Sequence, residues 1–96
     1  MNRVAISGSV LTLEPMRMTP AGVPSIRFTV EHRSTVVEAG HPRQVECRLR
    51  VVALGPTAEA ASRLATGAAV EIEGFLARAS YRSEWPVLHV TELRTH

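Results

Sequence analysis

At 96 residues, 45% of them hydrophobic and 21% charged, the chain has the composition of an ordinary globular protein and room for one domain, residues 1–96. No run approaches the roughly 18 apolar residues of a membrane helix, and no basic segment with an apolar run and cleavage site opens the chain, so a cytoplasmic protein without membrane association is expected. The single Cys47 excludes an internal disulfide and is expected to be a buried thiol.

A net charge of +2 conceals a one-sided inventory, because all eleven basic residues are arginine and all nine acidic ones glutamate. Planar guanidinium groups fork onto phosphates and stack on bases, which suits contact with nucleic acid. A G+C-biased genome would give the same replacement of lysine by arginine. So short a chain buries only about two-thirds of its unfolded surface, which makes a homodimer a natural supplement to its stability.

Residues 3 to 13 set Val4, Ile6, Gly8 and Val10 against Arg3, Ala5, Ser7 and Ser9, the period of two of a half-buried strand. Gly8 suits a sharp bend of that strand round a barrel. The run from Thr19 to Pro24, with Pro20 and Gly22, is turn chemistry and predicts a hairpin loop. A second strand follows over 25–34, with Ile26, Phe28, Val30 and His32 on one face and Arg27, Thr29, Glu31 and Arg33 on the other. Residues 35 to 42 close on the breaker cluster Glu38-Ala39-Gly40-His41-Pro42 and predict a loop. The third strand, 43–54, places Val45, Cys47, Leu49 and Val51 opposite Gln44, Glu46, Arg48 and Arg50.

One short helix is expected over 58–65, with Thr57 as its N-cap and Gly67 as its stop. Strands four (68–78) and five (86–93) complete the chain, with Val70, Ile72, Gly74 and Leu76 inward. The polar loop 79–85 between them holds Tyr81 and Trp85, half of the aromatic residues. Three strands, a short helix between strands three and four, and two further strands make an all-β chain in the element order of the five-stranded Greek-key OB-fold barrel, which binds oligonucleotides on strands two and three and their flanking loops. Periodicity alone also fits a small sandwich or an SH3-like barrel.

On that binding face Arg27, Arg33, Arg48 and Arg50, with Arg43 at the start of strand three, form a basic stripe able to neutralise the phosphates of a single strand. The same residues, beside Glu31 and Glu46, also read as a solvated face of weak ion pairs. Tyr81, Arg82 and Trp85, flanked by Arg78, offer flat rings for base stacking; alternatively Trp85, next to Pro86, folds back over the barrel end. Phe28 reads as core, whereas Phe75 alternates outward and fits either role. His32, His89 and Cys47 lack the paired short spacings of a metal site, and no cofactor is implied. Without aspartate, lysine, a phosphate-cradling glycine motif or H-E-x-x-H, no catalytic mechanism can be assembled.

Several runs in order, from residue 6 to 89, resemble the primosomal replication protein N (PriB) family, relatives of the single-stranded DNA-binding proteins. They are Ile6-Ser7-Gly8-Ser9-Val10, Thr19 to Pro24, Phe28-Thr29-Val30-Glu31-His32-Arg33-Ser34, Glu38-Ala39-Gly40 with Arg43-Gln44 and Cys47, Gly74-Phe75 and Val87-Leu88-His89. Glu31-His32-Arg33-Ser34 is the most specific. The resemblance implies a non-catalytic homodimer of OB-fold barrels that binds single-stranded DNA, associates with the restart helicase PriA and helps recruit DnaT. The family's basic contacts map onto Arg17 in the first hairpin loop, Arg33 at the end of strand two and Arg43 at the start of strand three, and its lysine-rich loop onto the region of Arg78 and Arg82. Two departures fall on the binding surface: His41 and Glu46 stand where the family pattern has an aromatic residue and a tryptophan. Stacking is therefore expected to move to the loop of Tyr81 and Trp85, or to weaken in favour of a protein-interaction adaptor role.

Overall fold

A computed structural model describes residues 1–95. The strands are β1 (Val4–Leu13), the two-residue β2 (Arg17–Met18), β3 (Pro24–Glu38), β4 (His41–Leu54), β5 (Ala69–Arg78) and β6 (Pro86–Thr95), with helix α1 (Pro56–Ala61) between β4 and β5. The sheet runs β1-β5-β6-β4-β3-β2, and a further pairing of β1 with β3 closes the five long strands into a barrel. This is the expected OB-fold. β2 is an addition that the period-two pattern, too short at two residues, does not register.

Closure depends on β1 serving two neighbours. Its first half, Val4–Ser9, pairs with β5, and its second, from Ser9 to Leu13, pairs with β3 through a bulge between Val10 and Thr12. On the far side a short parallel seam, Val51–Ala53 against Leu88–Val90, joins β4 to β6. Alternation then sends Val10, Ile26, Phe28, Val30, Val51, Val70, Ile72 and Leu88 into an interior where each is at most 3% exposed. Ala58 and Ala61, one helical turn apart, bury the inner side of α1 against this core.

Two glycines mark where backbones approach too closely for a side chain. A Cβ on Gly8 would lie 2.3 Å from the Glu31 carbonyl oxygen, where β1 crosses from β5 to β3. A Cβ on Gly74 would lie 1.8 Å from the His89 carbonyl oxygen. Gly74 sits at a bulge that leaves Thr91 out of register, its hydroxyl donating to the Glu73 carbonyl at 3.1 Å.

Helix α1 is shorter than expected and starts earlier. Gly55, at φ 65°, is the cap residue and makes no side-chain cap bond; its carbonyl accepts from the Glu59 N–H at 3.2 Å. Pro56 fills the first helical position, where its missing N–H costs nothing. Thr57 therefore lies inside the first turn rather than at the cap. The helix gives way at Ser62 to tighter turns, Arg63 to Ala60 and Leu64 to Ala61, before Gly67 turns the chain at φ 89°.

Residues 35 to 42 are not a loop. β3 and β4 pair without interruption from Ser25–Leu54 to Glu38–His41, and only Ala39 (φ 52°) and Gly40 (φ 81°) turn, both in the left-handed region of a two-residue hairpin turn. Pro42 is tolerated because β4 meets β6 only at Val51–Ala53, so its outer end is an edge where a proline forfeits no ladder bond. The ribbon outruns the barrel as an arm, and exposure climbs along β3 from 0% at Val30 to 76% at Val37. Cys47 lies on this arm and is exposed, not buried, because no layer of the core extends beneath it.

At the root of the arm, His32 Nδ1 donates to the Ser7 carbonyl at 2.6 Å, which leaves Nε2 to accept from the Ser34 hydroxyl at 2.8 Å. Glu31-His32-Arg33-Ser34 thus has a structural reason: it latches the arm to β1. Gly74→Ala must move the β6 backbone and is expected to lower the unfolding free energy by about 2 kcal/mol or more, read as a lower urea midpoint at unchanged slope.

Candidate nucleic-acid interface

The β3–β4 register sets Arg27 opposite Val52, Thr29 opposite Arg50, Glu31 opposite Arg48 and Arg33 opposite Glu46, all on the outward face. Four of the five expected arginines share that face. Arg43, opposite Val36, belongs to the alternate row and stands near the tip of the arm. Arg17 lies on β2 rather than in a loop, paired with Ser25 beside Arg27's strand position.

The cations divide into two electrostatic classes. Along the arm Arg33 Nη2 lies 3.3 Å from Glu31 and 3.5 Å from Glu46, Arg48 Nε lies 3.4 Å from Glu31, and Arg43 Nη1 lies 3.3 Å from Glu38. Three guanidiniums thus meet three carboxylates, and the arm is close to neutral. Among the described residues no carboxylate pairs with Arg17, Arg27, Arg50, Arg78 or Arg82, nor with Arg63 just after α1. These unpaired cations gather round the barrel rather than along the arm.

There the surface is concave. A groove of about 560 Å³ runs over Thr29, Val52 and Val87, with Arg27, Arg50 and His89 at its sides and Ala79 where the 79–85 loop departs. A smaller hollow of about 200 Å³, lined by Arg17 and Met18, adjoins it and shares Glu14, Ser25 and Arg27. Together they form a trough from the segment after β1 to the loop between β5 and β6. Tyr81 is 98% and Trp85 79% exposed, so Trp85 stands clear of the barrel end instead of capping it.

Sequence reasoning missed one feature of this face. Phe75 on β5 and His89 on β6 are directly opposite, and their rings stack with centroids 5.0 Å apart and planes 5° from parallel. The outward alternation of Phe75 was a signal; its pairing with His89 required the bulge at Gly74 to be known.

A further hollow, on β1, β5 and β6, has the other sign of charge. Glu71, Glu73 and Glu92 line it with Arg94. Arg3 is hydrogen-bonded and ion-paired to Glu73 and holds that carboxyl below the usual carboxylate range, against the opposing effect of partial burial.

The family described as "Another single-strand binding protein family" matches residues 2–92. The replication restart protein PriB of Bordetella pertussis is 42% identical over 94 residues, covering 98% of this chain and 88% of that one. That of Nitrosomonas europaea is 40% identical over 93 residues, covering 97% and 86%. The chain belongs to the PriB family. Its structure matches PriB from Ralstonia solanacearum with a TM-score of 0.91 at 32% identity over 100% of this chain and 98% of that one. The single-stranded DNA binding protein of Thermus aquaticus, at a TM-score of 0.80 and 22% identity over 100% of this chain and 50% of that one, shares the fold. Within this PriB-family barrel the trough lies on the strands and loops that OB-folds use for oligonucleotides.

Because folding lowers the Glu73 pKa, the stability it contributes is present above the unfolded carboxyl value and is lost as pH falls through the folded one. Arg3→Ala is expected to return the Glu73 titration, followed by NMR of its carboxyl carbon, towards the usual range and to flatten the acid-side fall of the urea midpoint.

Proposed function

We propose that the protein is a non-catalytic accessory factor of replication restart that holds single-stranded DNA in the trough, without choice of sequence. The observation that carries this reading is the set of guanidiniums without an ion pair, Arg17, Arg27 and Arg50, lining a groove on the face where this fold binds single strands, with Arg78 and Arg82 either side of Ala79 where the 79–85 loop leaves it. Phosphates dock on these cations and release counterions, while Tyr81 and Trp85 stack on bases. Arg33, Arg43 and Arg48 join the contact secondarily. Their exposed ion pairs, worth about 0–1 kcal/mol each, yield readily to a phosphate.

As the resemblance implies, the working unit is a homodimer in the cytoplasm that stabilises a PriA-type restart helicase on DNA and passes the complex to a DnaT-type partner. The start of β1 supports dimerisation: beyond its pairing with β5, the other edge of Val4–Ile6 has no strand paired with it among the described residues. A second reading, a protein-interaction adaptor with incidental DNA binding, is favoured by the near-neutral arm and its exposed Val36 and Val37.

Fluorescence anisotropy with labelled oligo-dT and a matched duplex, at low and moderate salt and with the solution mass in parallel, separates the two. The DNA-binding reading expects a dimer that prefers the single strand, with a log-log salt slope of roughly −2 to −4 for three to five phosphates. Substituting both Tyr81 and Trp85 by Ala is expected to weaken binding by roughly tenfold or more. A well-folded dimer that binds neither strand supports the adaptor.

A further inference from the structure

We infer that His89, backed by Phe75, is a base-stacking platform set into the wall of the trough. The inference rests on the single-strand reading above and names where in that site a base is held.

One row crosses four strands on the outward face. Phe75 on β5 faces His89 on β6, His89 lies beside Val52 of β4 across the parallel seam, and Val52 faces Arg27 of β3. Phe75 covers one face of the imidazole in a near-parallel stack, and the same imidazole lines the groove that Val52 floors. A base entering the groove meets the remaining face of His89 and continues the Phe75–His89 stack as a third plane. Strands are spaced about 4.8 Å apart, so Arg27 stands about 10 Å from His89 along the row. One nucleotide's sugar and phosphate, met by an extended guanidinium, cover that span.

The fold alone gives Phe75 no reason to be where it is. It is 40% exposed, outside the core, on the face opposite Val70 and Ile72. Its ring lies flat on His89, and the stack fixes the orientation of that imidazole. A pre-oriented flat ring costs less entropy on binding than a mobile one. The arm, by contrast, has His41 and Glu46 in place of aromatic residues, and the loop rings of Tyr81 and Trp85 are almost fully solvated. Of the two aromatic rings that line the groove, Phe28 is a core side chain only 3% exposed, which leaves the half-buried His89 as the one with a face to offer.

Two substitutions that both fill the space separate stacking from packing. His89→Leu keeps an apolar side chain against Phe75 but removes the π face, whereas His89→Phe keeps it. Anisotropy is measured with oligo-dT and with an abasic strand of the same length and charge, after melting curves establish that each variant is folded. The expected result is a loss of roughly five- to 150-fold for His89→Leu on oligo-dT, affinity near wild type for His89→Phe, and no difference among the three proteins on the abasic strand. Equal oligo-dT binding by His89→Leu and wild type overturns the platform while leaving the single-strand reading intact. So does an equal loss by His89→Leu on both strands. A wild-type protein that binds neither strand overturns the underlying reading, and the platform with it.

Discussion

The two-residue turn at Ala39–Gly40 fixes the register of the longest strand pair in the molecule, and the character of the candidate site follows from that register. Side chains alternate strictly along a strand, so a slip of one residue would send Arg27, Glu31 and Arg33 inward and Ile26, Phe28 and Val30 out to solvent. The buried set resists such a slip, since Val30 alone is fully enclosed. Arginines reach the outer face because valines and an isoleucine claim the inner one. Gly8 and Gly74, at the two places where backbones come closest, allow the ribbon to be rolled into a barrel and its outer face to become concave.

Charge pairing refines this geometry. An arginine on a strand is opposed by whatever the register supplies, and on the arm the register supplies glutamates: Glu31 to Arg48, Glu46 to Arg33. Nearer the barrel it supplies Val52 to Arg27 and Thr29 to Arg50, which leaves both cations without an ion pair, with Glu14 the one carboxylate lining the trough. The basic surface is therefore focused on the trough, where apolar walls and guanidiniums stand together. The acidic hollow of Glu71, Glu73 and Glu92, further along β5 and β6 from the 79–85 loop, gives a single strand no competing attraction.

Much of this was legible in the alternation itself. The inward residues of the first four long strands, Cys47 excepted, and the outward row from Arg27 to Arg33 follow from period two. Boundaries were less legible, for physical reasons that can be named. His41-Pro42 reads as a breaker, yet an edge strand tolerates proline. Thr57 reads as a cap, yet a glycine with positive φ followed by proline starts the helix two residues earlier. Cys47 shares a face with Val51 but sits past the end of the core, and alternation cannot tell where a core stops. The ion pairs and the Phe75–His89 stack depend on which residues face one another across strands, and no single-strand pattern encodes that.

The most direct test of the account is an amide chemical-shift map of the protein titrated with oligo-dT. It predicts that the largest changes cluster at Arg27, Arg50, Val52, Val87 and His89 and in the 79–85 loop, with little change at Ala5, Ser7, Glu71 and Glu92, which line the acidic hollow. Changes concentrated on the outer arm, from Thr35 to Gln44, or on the acidic face would contradict it.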